Sequence, residues 1–335
     1  MGRQVVAGHT RRSAPHEQGA GAADLPQGAC ERDRPVTPSA QGHLAMLSFS
    51  ALVAGSFSLG SLVANEISPL ALNTARFFIA TAVVGAAVMA RGGVPRAALR
   101  APWRYLLLGG LFITYFVLMF EGLKTAPPVS SAAVFTLVPA ISGVVAWFML
   151  RQRTTPRMAL ALAIGGAGAL WVIFRADLAA LLAFDVGRGE IIFFFGCVAH
   201  GIYTPLVRRL NRGESALVFS FGTLIAGSLL LLVVGARDVW ATDWTALPGL
   251  VWITIFYVAI AASSMTFVLL QFASLRLPSA KVMAYTYLVP TWVICWEVVL
   301  GARLPPAPVA AGIGLTVLAL VLLLRDDGVQ KAGNQ

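Results

Sequence analysis

Few side chains in this sequence could do chemistry, and those that could lie inside long apolar runs. His200 stands near the middle of one, beside Gly201 and a turn from Tyr203 and Thr204. An imidazole offers both a proton site and a hydrogen-bond donor, so this group reads either as a pore lining or as a hydrogen-bonded contact between helices. Glu297 follows Pro290 by seven residues in another run. It reads as a proton-coupling carboxylate, as a counter-charge for a cationic substrate, or as an interfacial side chain facing water. Arg76, about two turns after Pro69, is either a substrate-facing cation or a structural tether. Tyr285 and Tyr287 precede Pro290, while Trp292 and Trp296 follow it one turn apart on a shared face. The two tryptophans suit stacking on a substrate, core packing or an interface belt.

Several chemistries lack their motifs. The sequence holds no GxxxxGK[ST] loop and no HExxH. No Ser/His/Asp or paired-carboxylate set stands out within the runs, which weighs against an enzyme. Cys30, Cys197 and Cys295 are far apart with no CxxC spacing, so neither a disulfide framework nor a metal site is expected. No cofactor is implied.

The elements that must hold these residues are membrane spans. Of 335 residues 58% are hydrophobic and 12% charged, with a mean hydropathy of +0.77. A soluble domain carries about 25% charged residues. Apolar segments fall at about 43–64, 69–90, 103–123, 128–150, 157–174, 189–209, 215–236, 249–272, 279–300 and 306–324. Each reaches the ~20 residues that cross a bilayer as a helix. The expected fold is therefore an all-α polytopic membrane protein of ten transmembrane helices.

The net charge of +10 is spread through short loops, which is the positive-inside pattern and not a nucleic-acid footprint. Twelve Lys or Arg fall in the connections after spans two, four, six and eight, and five in the opposite connections. Both termini are thus expected in the cytoplasm. Residues 1–42 lack an apolar run and read as a disordered cytoplasmic tail with no signal peptide, and 327–335 as a second tail. Met46, just inside the first run, is an alternative start, so the presence of residues 1–45 in the expressed protein is left open.

One element occurs twice. APPVSSAAVFTLVPAISGVVAWFMLRQRTTP, from Ala126 to Pro156, is echoed by LPSAKVMAYTYLVPTWVICWEVVLGARLPP, from Leu277 to Pro306. Both carry Leu-Val-Pro, at Leu137 to Pro139 and Leu288 to Pro290, and both end in Arg-x-x-Pro. Gly55 and Asn65 match Gly201 and Asn211 at one constant offset. A duplicated unit of five spans must sit upside down relative to its copy, which is a transporter architecture. The expected repeats are 43–176 and 188–326, with Pro139 and Pro290 as paired mid-span kinks.

Ten spans in two such halves, the twin Leu-Val-Pro helices, and Ile67-Ser68-Pro69 followed by Arg76 resemble the EamA type of the drug/metabolite transporter superfamily. The likeness covers about 43–326. The family's Gly-Glu-Arg after the fourth span is Arg151-Gln152-Arg153 here, and in the second half Gly301-Ala302-Arg303, so the acidic residue is missing from both. The resemblance implies a secondary transporter or exporter of a small metabolite, amino-acid-like or drug-like, in the cytoplasmic (inner) membrane. Its central cavity is expected mainly from spans 1, 3, 4, 6, 8 and 9, with protons as candidate coupling ion. The expected partners are a small-molecule substrate and the lipid bilayer. The alternatives are a non-transporting membrane subunit and an intramembrane enzyme acting on lipids.

Overall fold

The computed structural model describes residues 38–151, 155–183 and 186–324. Among them ten helices are long and apolar enough to cross a membrane: Pro38–Val63, Pro69–Ala90, Trp103–Gly122, Pro128–Leu150, Pro156–Ile173, Arg188–Leu210, Ala216–Val234, Gly249–Ser274, Lys281–Val299 and Ala307–Leu324. They are called spans 1 to 10 below. With no water in a bilayer to satisfy peptide groups, the helix is the local solution for such apolar runs. The chain is a multi-pass integral membrane protein.

Boundaries follow elementary backbone chemistry. Pro69, Pro128 and Pro156 open their helices, where the missing N–H costs nothing. The Thr155 hydroxyl accepts from the Met158 N–H (3.1 Å), and the Ser215 hydroxyl from the Val218 N–H (3.3 Å). Span 1 begins at Pro38, five residues before the expected start at 43, so the helix takes in part of the expected tail. Residues 1–37 with Cys30, residues 152–154 with Gln152 and Arg153, and the tail at 327–335 lie outside the described residues. The link between spans 5 and 6 contains a short helix, Leu178–Ala183.

The two Leu-Val-Pro prolines do not kink continuous helices. Span 4 stops at Phe135, turns through Thr136 and Leu137, and restarts as Val138–Leu150. Span 9 runs as Ser279–Ala284, tightens to a 3-10 turn over Tyr285–Leu288, and restarts as Val289–Val299. Pro139 and Pro290 are each the second residue of the restarted helix. A proline ring inside a continuous α-helix clashes with the carbonyl four residues back, and ending the helix before it removes the clash.

Span 5 packs on 10, 2 on 7, 3 on 6, 1 on 8, 4 on 6, 1 on 9, 3 on 7, 2 on 8 and 4 on 9. Exchanging each span with the one five places along leaves that set unchanged. Pro128–Phe135 lies against Val289–Val299, and Val138–Leu150 against Ser279–Ala284, so spans 4 and 9 cross antiparallel. Glycines set the closest approaches. Gly122 and Gly189 bring spans 3 and 6 together so tightly that a Cβ on Gly122 would stand 2.6 Å from the Gly189 carbonyl oxygen.

Each end of the bundle is tied. At the arginine-rich end Arg104 is fully buried and donates to the carbonyls of Ala101 (3.2 Å), Arg100 (3.0 Å) and Leu210 (2.6 Å). It also forms an ion pair with Glu214 at 2.8 Å. Span 3 is thereby bound to the connection between spans 6 and 7. Burial pushes the Glu214 carboxyl up, but the hydrogen bonds from Arg104 and the Arg212 N–H outweigh it and hold the group below its usual range. At the opposite end Ser68 donates to Asp238 (2.6 Å), and Lys124 pairs with Glu121 (2.7 Å).

Candidate functional site

Arg76 is fully buried on span 2, which packs against the middle of span 8. There the eighth helix widens into a π-helical stretch, Ile260–Met265. A widened turn lengthens the backbone hydrogen-bonding pattern and is frequent at functional sites. Arg76 fastens onto it: Nε donates to the Ser263 hydroxyl at 2.5 Å and Nη2 to the Ala262 carbonyl at 2.9 Å. Its Cζ sits 3.5 Å from the centroid of the Phe116 ring, a cation–π contact with span 3. Nη1 has no hydrogen-bond partner among the described residues. Asn73, one turn earlier, donates to the Pro69 carbonyl (2.8 Å), while its Oδ1 has no partner among the described residues.

From Phe116 a continuous set of rings leads to His200. Phe112 lies 4.8 Å from Phe116, 4.1 Å from Phe267 and 5.4 Å from His200. The imidazole stacks on Tyr115 (4.4 Å, 30°) and lies parallel to Tyr203 (6.1 Å, 5°), with Phe135 at 5.5 Å. Phe135 is the last helical residue before the break in span 4, so the break and this ring arrive together. His200 is 1% exposed, and neither ring nitrogen has a hydrogen-bond partner among the described residues. Gly201 lets span 6 sit on span 4 here, since a Cβ would meet Ile141 at 2.6 Å. Beyond His200, the Tyr203 hydroxyl accepts from Gln271 Nε2 (2.9 Å), and Gln271 Oε1 has no partner among the described residues.

Buried polar atoms are nearly always hydrogen-bonded, so unpartnered ones are candidates for meeting water, an ion or a ligand. Arg76, Asn73, His200 and Gln271 bring such atoms to one cluster of rings, while others, among them Ser56, Ser220 and the Tyr287 hydroxyl, lie on spans 1, 7 and 9. Spans 2, 3 and 4 from the first half and spans 6 and 8 from the second supply the cluster.

His200, Tyr203 and Arg76 therefore share one cluster. The other sequence candidates lie apart from it. Tyr285 pairs through its hydroxyl with His43 Nδ1 of span 1 at 3.0 Å. The Tyr287 ring fills the space left by Gly165 of span 5, and its carbonyl accepts from Thr316 of span 10 at 3.2 Å. Trp296 makes an edge contact with Tyr257 (5.7 Å). Trp292 is 37% exposed. Glu297 is half-buried near the end of span 9, with no hydrogen bond or ion pair to any described residue.

Phe112, Tyr115 and Phe116 escaped the sequence reading. Their spacing of three and four residues, which puts three rings on one face of span 3, was the available signal. Arg104 was counted only as a loop charge, yet it is buried and paired.

A multi-pass bundle with unpartnered polar groups at its centre has the form of a membrane transporter. The model of the EamA-like transporter family matches the chain twice, over residues 40–174 and 187–325, and the chain belongs to that family. It is 25% identical over 289 residues to "Uncharacterized transporter YyaM" of Bacillus subtilis, spanning 86% of this chain and 93% of that protein. It is 28% identical over 214 residues to "Aromatic amino acid exporter YddG" of Ancylobacter novellus, spanning 62% of this chain and 72% of that one. A solved crystal structure at 22% identity superposes with a TM-score of 0.65, covering 85% of this chain and 95% of the other, and so shares the fold.

Proposed function

We propose that the protein is a secondary transporter that exports a small amphipathic metabolite across the cytoplasmic membrane by alternating access. The observation that carries this reading is the buried cluster in which Arg76, His200 and Gln271 keep unpartnered polar atoms among aromatic rings. Such a site offers stacking surface for an apolar body and unused donors and acceptors for a polar head. The Ancylobacter novellus relative is named for export of aromatic amino acids, and the rings here suit substrates of that broad kind.

Residues 43–176 and 188–326 are proposed as inverted repeats with both termini in the cytoplasm. The reciprocal span pairing and the antiparallel crossing of spans 4 and 9 support the inversion. The excess of Lys and Arg in alternate connections supports the orientation. Rocking one half on the other would open the central cluster first to one side and then to the other. The helix breaks before Pro139 and Pro290 supply the joints.

Protons are the proposed coupling ion, and His200 the group that takes them. His200 is proposed because neither of its ring nitrogens has a hydrogen-bond partner among the described residues and its ring stacks on those of Tyr115 and Tyr203. Cells expressing the chain should gain resistance to toxic aromatic amino-acid analogues and retain less of them, and His200→Ala should reverse both. Unchanged retention across a broad metabolite panel would remove the export reading.

A further inference from the structure

We infer that the transported molecule is a monocarboxylate, and that Arg76 holds its carboxylate through the unpartnered Nη1. This rests on the transport reading above and narrows it to a chemical class.

The chain contains its own comparison. Two arginines, Arg76 and Arg104, are both 0% exposed. Arg104 is fully provided for: three backbone carbonyls and the Glu214 carboxylate accept from it, and the pair balances in charge. Arg76 has one hydroxyl, one carbonyl and one ring face, all uncharged. No Asp or Glu among the described residues forms an ion pair with it. A guanidinium stays protonated in proteins, so the cluster carries a full positive charge with no fixed counter-charge. Burying an unpaired charge is expensive, and the expense falls when an anion arrives with the right geometry.

The donors specify which anion. Nη1 has two N–H groups, and both are unused. One guanidinium against one carboxylate sums to zero charge. A doubly charged phosphate would need a second cation, and the partners of Arg76 are Ser263, Ala262 and the Phe116 ring, which itself packs on Phe77 and Phe112, none of them basic. These rings suit an apolar or planar body attached to the carboxylate. Nε and Nη2 are already committed to Ser263 and Ala262, so the guanidinium plane is fixed before the ligand comes. A donor oriented in advance loses less freedom on binding.

The test uses the purified full-length chain and acid/amide pairs of one shape: benzoate with benzamide, phenylacetate with phenylacetamide, phenylalanine with phenylalaninamide. Binding is read by calorimetry. At least one acid is expected to bind about tenfold or more tightly than its amide, as a charge-assisted hydrogen bond implies. Arg76→Gln should bring that ratio to about one by weakening the acid alone, and Arg76→Lys should keep part of it. If Arg76→Gln fails to fold, the wild-type acid/amide ratio still decides. Pairs bound equally, no acid bound at all, or acid and amide weakened alike by Arg76→Gln would each overturn the inference. Gradient-driven flux of an amide or amine alongside any of those results would leave the transport reading standing and remove only the carboxylate.

Discussion

Arg76 of the second span donates through Nε to the Ser263 hydroxyl of the eighth at 2.5 Å, where the eighth helix widens. This bond joins spans 2 and 8 at buried depth and helps set the plane of a guanidinium whose Nη2 is held by the Ala262 carbonyl and whose Nη1 has no partner among the described residues. The widened turn belongs to the arrangement: it carries both the Ser263 hydroxyl and the Ala262 carbonyl to which Arg76 is bound.

Ser263→Ala removes the Nε acceptor and leaves a buried charged donor unpaired. A loss of about 1–3 kcal/mol in stability is expected, measured by thermal unfolding of the purified protein in detergent. Carboxylate binding should weaken as well, because the guanidinium is no longer fixed. An unchanged unfolding midpoint would show that the bond is not made.

The Gly122–Gly189 contact predicts a local difference among glycines. Gly122→Ala and Gly189→Ala each place a methyl group against a backbone carbonyl of the facing helix, which cannot retreat without moving the span. Each should destabilise by about 1–3 kcal/mol. A Cβ on Gly166 meets nothing within 4 Å, so Gly166→Ala should be neutral or stabilising by up to about 1 kcal/mol through helix propensity. Unfolding midpoints of the three variants measure the contrast.

The Arg104–Glu214 pair should give the arginine-rich end an acid-sensitive contribution. The Glu214 carboxyl is held below its ordinary value of 4.5, so the folded state binds its proton less readily than the unfolded chain. The contribution is complete above about pH 4.5 and fades as the pH falls through the lowered folded value. Glu214→Gln should flatten that part of the stability profile. Arg104→Ala, which strips a buried carboxylate partner and three carbonyls of their donor, should cost about 3–5 kcal/mol. A double-mutant cycle on the two positions separates the pair from the rest.

His200→Gln keeps hydrogen-bonding capacity and removes the titration. Flux should persist at a reduced rate while its dependence on an imposed pH gradient disappears. Flux in the variant that still follows the gradient would move the coupling group elsewhere.

Much of the fold was legible. The ten apolar runs gave the spans to within a few residues, because a bilayer demands both length and apolarity, and Pro69, Pro128 and Pro156 mark the starts of spans 2, 4 and 5. The breaks before Pro139 and Pro290 were readable as disturbances. Their form, an interrupted helix in span 4 and a 3-10 turn in span 9, was not, since it depends on what packs beside each. The site was legible only in part. His200, Tyr203 and Arg76 stood out as polar groups in apolar surroundings, and they do meet one cluster of rings. Tyr285, Tyr287, Trp292, Trp296 and Glu297 were equally qualified by sequence, and they lie apart from those rings. Hydropathy fixes which residues are in the membrane and leaves open the rotation of each helix about its axis. The π-widening at Ile260–Met265 left no Gly or Pro to reveal it.

The most direct test of the central claim is flux through the full-length chain in proteoliposomes, loaded with a labelled aromatic amino acid and exposed to an imposed pH gradient. The expected result is gradient-driven, saturable movement that exceeds that of empty liposomes, collapses when the gradient is dissipated, and falls at least several-fold in Arg76→Gln. Movement that ignores the gradient, or that survives Arg76→Gln and His200→Gln together, would contradict it.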